Sequence, residues 1–179
     1  HKMVKEIRYG DLESADKTYN SLVSEHMRSP LLEEAVLILA QAHIDAEEYL
    51  LANFYLDEYI KRYGDTKRTK FAKFLKIKAA YLSLKRPFRD QNLLQETLQE
   101  ASAYIKEYPD SPYLLQVQSM QTTMLLAKEN LNREIAALYG RLGKPEAQKI
   151  YTERAKSESV QTNDEIIPPK RWLIQKLFE

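Results

Sequence analysis

The side chains that could do acid–base, nucleophilic or metal chemistry are few and scattered in this sequence. His1, His26 and His43 are far apart among the 179 residues, and no Cys is present to serve as a nucleophile or thiolate ligand. A nucleophile elbow, a phosphate-cradling glycine loop, a helical histidine pair of the zinc type and a dinucleotide fingerprint are all missing. The 4 glycines are spread out as helix breakers. The acidic pairs Glu33-Glu34 and Glu47-Glu48 fall at expected helix starts, where carboxylates favour the macrodipole. His43 reads as a core-facing or groove-lining residue. The expectation is therefore no catalytic residue, no metal and no cofactor, and the remaining chemistry is recognition.

Charge is most uneven between Lys61 and Lys78, where 8 basic residues stand against Asp65 alone, and Lys85, Arg86 and Arg89 extend the run. Within it Lys67, Arg68 and Lys70 lie beside Phe71 and Phe74, with Tyr81 further along. Cations next to aromatic rings could receive a carboxylate-bearing chain end, an acidic partner or anionic headgroups. The competing reading is a solvated helix face. A second candidate surface is the segment from Pro169 to Phe178, containing Arg171 and Trp172. It places Leu173, Ile174, Leu177 and Phe178 on one helical stripe, suited to capping the end of a helical array or to docking on a partner or membrane interface. The formal net charge of +1 creates no global field that would select nucleic acid.

The elements that carry these residues are expected to be helices. Hydrophobic residues make up 44% and charged residues 30%, the balance of a globular chain, and few glycines are available for the tight turns of an all-β fold. No apolar run reaches the roughly 18 residues needed to span a bilayer. From Glu33 onward the sequence fits a tetratricopeptide repeat: Val36, Leu39, Ala40 and His43 in the first helix, Ala52, Leu56 and Tyr59 in the second, and Gly64 where a proline usually closes the unit. Small Ala40 and Ala52 would let two helices approach closely. A preceding repeat is expected with Gly10 in its turn and Ala15, Tyr19 and Leu22 on one face, its first helix truncated at His1. The heptapeptide from Tyr59 to Asp65 recurs from Tyr104 to Asp110, with an insertion between them placed at residues 85–91. A breaker-free stretch from Tyr113 to Tyr139 predicts a helix of about 40 Å. Ile135, Ala136, Tyr139 and the turn residue Gly143 follow, then a last helix over 144–157 with Ala147, Ile150 and Tyr151 inward. The expected layout is an all-α tetratricopeptide-type solenoid over 1–157, about four helix pairs with the first incomplete, and a linker with an amphipathic tail over 158–179.

These residues carry a family resemblance. The loop Arg89-Asp90-Gln91, the helix bearing Ala101 and Tyr104, and the run Tyr108-Pro109-Asp110-Ser111-Pro112-Tyr113 resemble the middle repeat of the BamD (ComL) family. Those proteins are tetratricopeptide lipoproteins of the bacterial outer-membrane β-barrel assembly machine. Ile135-Ala136, Leu138-Tyr139, Gly143 and Ala147 resemble the family's next repeat, and the likeness spans roughly 31–154. It implies a non-enzymatic scaffold at the periplasmic face of the outer membrane, binding the barrel-forming subunit BamA, other assembly subunits and unfolded outer-membrane proteins. It also implies a precursor anchored through a lipidated Cys upstream of His1, the only tie to the membrane. On this reading Tyr139, Arg141 and Gly143 form the BamA dock, and Lys67, Arg68, Lys70, Phe71 and Phe74 receive clients. The alternative is a generic tetratricopeptide adaptor that binds acidic peptide termini, anionic lipid or RNA through its basic helix face. A clamp for acidic chaperone termini is disfavoured by Ile38 and Gln41, which stand where such clamps carry Asn.

Overall fold

A computed structural model describes residues 1–64, 68–84 and 91–157. They form an all-α, tetratricopeptide-type array with eight helices among the described residues: α1 (Lys2–Arg8), α2 (Leu12–Glu25), α3 (Leu31–Asp45), α4 (Tyr49–Tyr63), α5 (Thr69–Ser83), α6 (Gln91–Glu107), α7 (Leu114–Arg141) and α8 (Pro145–Ser157). The chain divides into two compact units, His1–Ser83 and Leu84–Glu179.

In the first unit, α1 packs on α2, α2 on α3, α3 on α4 and α4 on α5. The small residues named from the repeat pattern are the ones at the closest approaches: Ala15, Ala40 and Ala52 have no exposed surface, and Val36, Leu39, Leu56 and Tyr59 are buried around them. Of the residues expected inward in this unit, Leu22 stays half-exposed. In the second unit, α6 packs on α7 and α7 on α8, with Ala101, Tyr104, Val117 and Met124 in the interior. The 28 residues of α7 give a rod of about 42 Å, which continues past the breaker-free stretch through Gly140 to Arg141. Among the described residues no helix is long and apolar enough to cross a membrane.

The repeated heptapeptide has a structural counterpart. Tyr59 tilts against Tyr63 with ring centroids 5.4 Å apart and an interplanar angle of 46°, and Tyr104 tilts against Tyr108 at 5.1 Å and 51°.

Three of the inter-helix turns share one hydrogen-bond pattern. After α1, the Gly10 amide donates to the Ile7 carbonyl and Asp11 to Glu6. After α3, Glu47 donates to Ile44 and Glu48 to His43. After α7, Gly143 donates to Gly140 and Lys144 to Tyr139. This is the Schellman arrangement, which requires one residue in the left-handed region. Its φ is 76° at Gly10, 61° at Glu47 and 65° at Gly143. Asp11 then caps α2, its Oδ1 accepting from the Ser14 amide at 3.0 Å.

Two expectations need correction. Glu47 is not a helix-start residue stabilising the macrodipole but the left-handed residue of the α3–α4 turn, and Glu48, the N-cap of α4, makes no side-chain cap bond. Ile150 is half-exposed and not inward. The inner stripe of α8 runs through Ala147, Tyr151 and Ala155, four residues apart. At 100° per residue Ile150 projects about 100° away from that stripe's centre.

Candidate functional site

Three surfaces bear on recognition. The first is an open groove of about 770 Å³ in the first unit, between α1, α2 and α3. Met3, Leu22, Leu31, Ala35 and Ile38 contribute apolar wall, and Glu6, Glu25 and Glu34 stand on its rim. Sequence reasoning named Ile38 only as a position lacking a clamp Asn. The groove forms because residues from three helices converge, which no single helical stripe reveals.

Two of the helices that line this groove, α2 and α3, also contribute to a polar hub. His43 has no exposed surface, and its ring lies between two carboxylates: Nδ1 is 2.7 Å from Glu48 Oε2 and Nε2 is 3.0 Å from Asp16 Oδ1. The Tyr55 hydroxyl donates to the same Asp16 oxygen at 2.7 Å, and its ring stacks on His43 at 5.4 Å and 16°. Tyr19 meets Tyr55 edge-on at 5.6 Å and donates to Glu58 Oε1 at 3.3 Å; Glu58 in turn pairs with Arg62. Burial first, and the neighbouring carboxylates second, push both phenols above their ordinary range. The expectation that His43 faces the core holds. Its partners Asp16 and Tyr55 belong to other helices and carried no signal in the sequence.

The second surface is the basic run. Arg68 and Lys70 are exposed at the amino end of α5, whose first turn has no acidic residue. Phe71 is half-buried against Phe74, with centroids 6.4 Å apart. Phe74 is only 5% exposed and belongs to the core, which removes it from the client-receiving set. The physical reason is that α5 is buried around most of its circumference, with Ala72, Phe74, Leu75 and Ile77 all enclosed, and a helix cannot expose every aromatic it carries. Within the run, Lys76 pairs with Asp57 at 2.9 Å and Arg62 with Glu58 at 2.9 Å. Lys67, Arg89, Asp90, Arg171, Trp172 and Phe178 lie outside the described residues, while Gln91 is the exposed first residue of α6.

The third surface is the far end of α7. Tyr139 stacks on Tyr151 of α8 with centroids 5.6 Å apart and an interplanar angle of 24°, and Arg154 caps the Tyr151 ring at 5.0 Å. Gly143 turns the chain, and Gly140 lies so close to α8 that an added Cβ would come within 2.9 Å of Gln148 Nε2. Arg141 is exposed and lines a shallow groove of about 560 Å³ together with Leu131, Glu134, Ile135 and Leu138. Leu138 and Leu142 remain 44% and 57% exposed. The structure thus has Tyr139, Arg141 and Gly143 at one helix end, with apolar surface beside an exposed cation.

Comparison with known proteins joins these features to a family. The family model described as "Outer membrane lipoprotein" (YfiO) matches residues 1–152. Over 152 residues the chain is 42% identical to the outer membrane protein assembly factor BamD of Helicobacter pylori, a match covering 85% of this chain and 69% of that relative. With the repeat architecture already established, the chain belongs to the BamD (YfiO) family of outer-membrane lipoproteins, proteins of that membrane's periplasmic face.

Proposed function

We propose that the chain is a non-enzymatic scaffold in outer-membrane protein assembly, docking the barrel-forming subunit BamA through the end of α7 and receiving unfolded barrel proteins on its first unit. The relative's name supports the assembly role. The observation that carries the dock is the exposed Arg141 beside Leu138 and Leu142 on a long helix, braced by the Tyr139–Tyr151 stack. An apolar patch with a cation at its edge is the composition of a protein interface core, and a braced helix presents it with little ordering cost on binding. Gly143 fixes the turn behind it. As a lipoprotein scaffold the chain would reach the membrane through a lipidated precursor Cys.

The client surface is narrower than the residue pattern implies. Arg68, Lys70 and Phe71 remain candidates, with Lys67 beside them in sequence, and the positive amino end of the α5 macrodipole adds to their potential. Such a surface suits a chain end that combines an aromatic ring with a carboxylate.

The test of the dock is a pull-down with BamA using Arg141→Glu and Leu138→Ser variants. Retention should fall while the melting temperature stays within about 2 °C of wild type, because exposed substitutions usually change stability by less than about 0.5 kcal/mol. Undiminished retention by both variants moves the dock elsewhere.

A further inference from the structure

The seam between α2 and the α3–α4 hairpin contains the buried imidazole of His43 with a carboxylate on each ring nitrogen. We propose that Asp16, His43 and Glu48 form a proton-operated latch that holds α1–α2 against α3–α4 and thereby sets the width of the groove between α1, α2 and α3.

The argument is one of hydrogen counting. A neutral imidazole has a single N–H and one bare nitrogen lone pair. Placed between two carboxylates, it could donate to one and would turn its lone pair toward the other. The doubly protonated ring donates to both, and these are charge-assisted bonds, roughly twice as strong as neutral ones. The two partners differ in what they tie together. Glu48 is five residues from His43 and closes a local turn, whereas Asp16 is 27 residues away on α2, so the Nε2 bond joins one helix pair to the next.

Tyr55 supports this state, and the charged groups of the neighbouring helices are engaged with partners of their own. Tyr55 covers one face of it and holds Asp16 in place through its hydroxyl. From α1, Glu6 is engaged by Thr18 Oγ1 at 2.7 Å and by Lys2. From α5, Lys76 is paired with Asp57. At the end of α3, Asp45 accepts from Gln41 at 2.7 Å. Glu48 is 48% exposed on its side chain and Asp16 24%, which gives the buried ring a route for proton exchange through its own partners. When the ring loses one proton, one bond is lost. The α3–α4 hairpin keeps its Schellman turn, so the yielding contact is the one to α2 and the groove loosens on that side. The inference concerns the groove wall and does not depend on what occupies it.

The experiment uses the full chain with labelled histidine. Wherever α2 is protected, the ring nitrogen shifts of His43 should report two protonated nitrogens, with exposed His1 and His26 as internal references; one bare nitrogen on His43 while α2 stays protected overturns the proposal. As pH rises through the step at which that signal changes, amide exchange in α2, normalised to intrinsic rates and to α6–α8, should accelerate about tenfold, the low end of what a charge-assisted hydrogen bond is worth as an equilibrium constant. His43→Gln should remove this step while keeping helicity. Should that variant not fold, Asp16→Asn serves instead, with fast α2 exchange across the whole pH range and a flat pH response. An α2 pH response equal in wild type and variant overturns the latch.

Discussion

Glu47 occupies in the α3–α4 turn the position that Gly143 occupies in the α7–α8 turn, with φ of 61° against 65° and the same pair of backbone hydrogen bonds around it. One fold solution is thus reached with glycine at one repeat and with a side chain that resists that backbone at another.

The first prediction follows from that contrast. A left-handed conformation costs a residue with a Cβ about 1–2 kcal/mol relative to glycine, offset in part by glycine's larger entropy when unfolded. Glu47→Gly should raise stability by about 1 kcal/mol, read as a higher denaturant midpoint with unchanged slope. A lower midpoint would show that the Glu47 side chain contributes more than its backbone costs.

The converse substitution probes the proposed dock. Gly143→Ala has open space around its Cβ, so its whole effect is conformational, and it should lower stability by about 1 kcal/mol. Because this turn aligns Tyr139 with Tyr151, the near-ultraviolet circular dichroism of the stacked pair should weaken as well. An unchanged spectrum with lowered stability would separate the turn from the stack.

Close helix approach makes a third prediction. Ala52 has no exposed surface, and Ala52→Leu should overpack the first unit and cost about 1–3 kcal/mol while helical circular dichroism persists. A neutral Ala52→Leu would contradict the packing described for α3 and α4.

The buried phenols give a pH prediction. Burial, and then nearby carboxylates, raise Tyr19 and Tyr55, and burial raises Tyr104, whose hydroxyl shares a 2.6 Å hydrogen bond with Ser111 Oγ. The folded state therefore holds these protons more tightly than the unfolded chain. Their contribution to stability is complete below the ordinary tyrosine range and declines as pH rises above about 10. Absorbance of the phenolate should show an exposed class ionising first and a buried class appearing only with loss of helical signal. Simultaneous ionisation of all tyrosines in folded protein would refute the assignment.

The client surface is tested by fluorescence anisotropy of a labelled barrel C-terminal peptide against wild type and Arg68→Glu/Lys70→Glu. Exposed ion pairs are worth about 0–1 kcal/mol each, so the double reversal should weaken binding several-fold at low salt and less at moderate salt. Amidation of the peptide carboxylate should weaken wild-type binding in parallel. Binding indifferent to both changes returns Arg68 and Lys70 to a solvated helix face.

Periodicity made the helices and much of the core legible before any coordinates. Ala40 and Ala52 could be picked out because only a small residue fits where helices cross closely, and the long α7 because nothing from Tyr113 to Tyr139 breaks a helix. The family resemblance was legible through Tyr104, the run from Tyr108 to Tyr113, and Gly143. What one-dimensional spacing could not decide is which side of a helix meets a neighbour. Phe71 and Phe74 are one turn apart, yet Phe74 is buried and Phe71 half-buried, a difference set by what packs around α5 and not by its periodicity. Ile150 faces outward for the same reason. The carboxylates on His43 come from α2 and from the start of α4, and the left-handed Glu47 arises from the demand of a turn on whatever residue occupies it. Such relationships depend on distances between segments remote in the chain, which helical periodicity does not encode and tertiary packing alone decides.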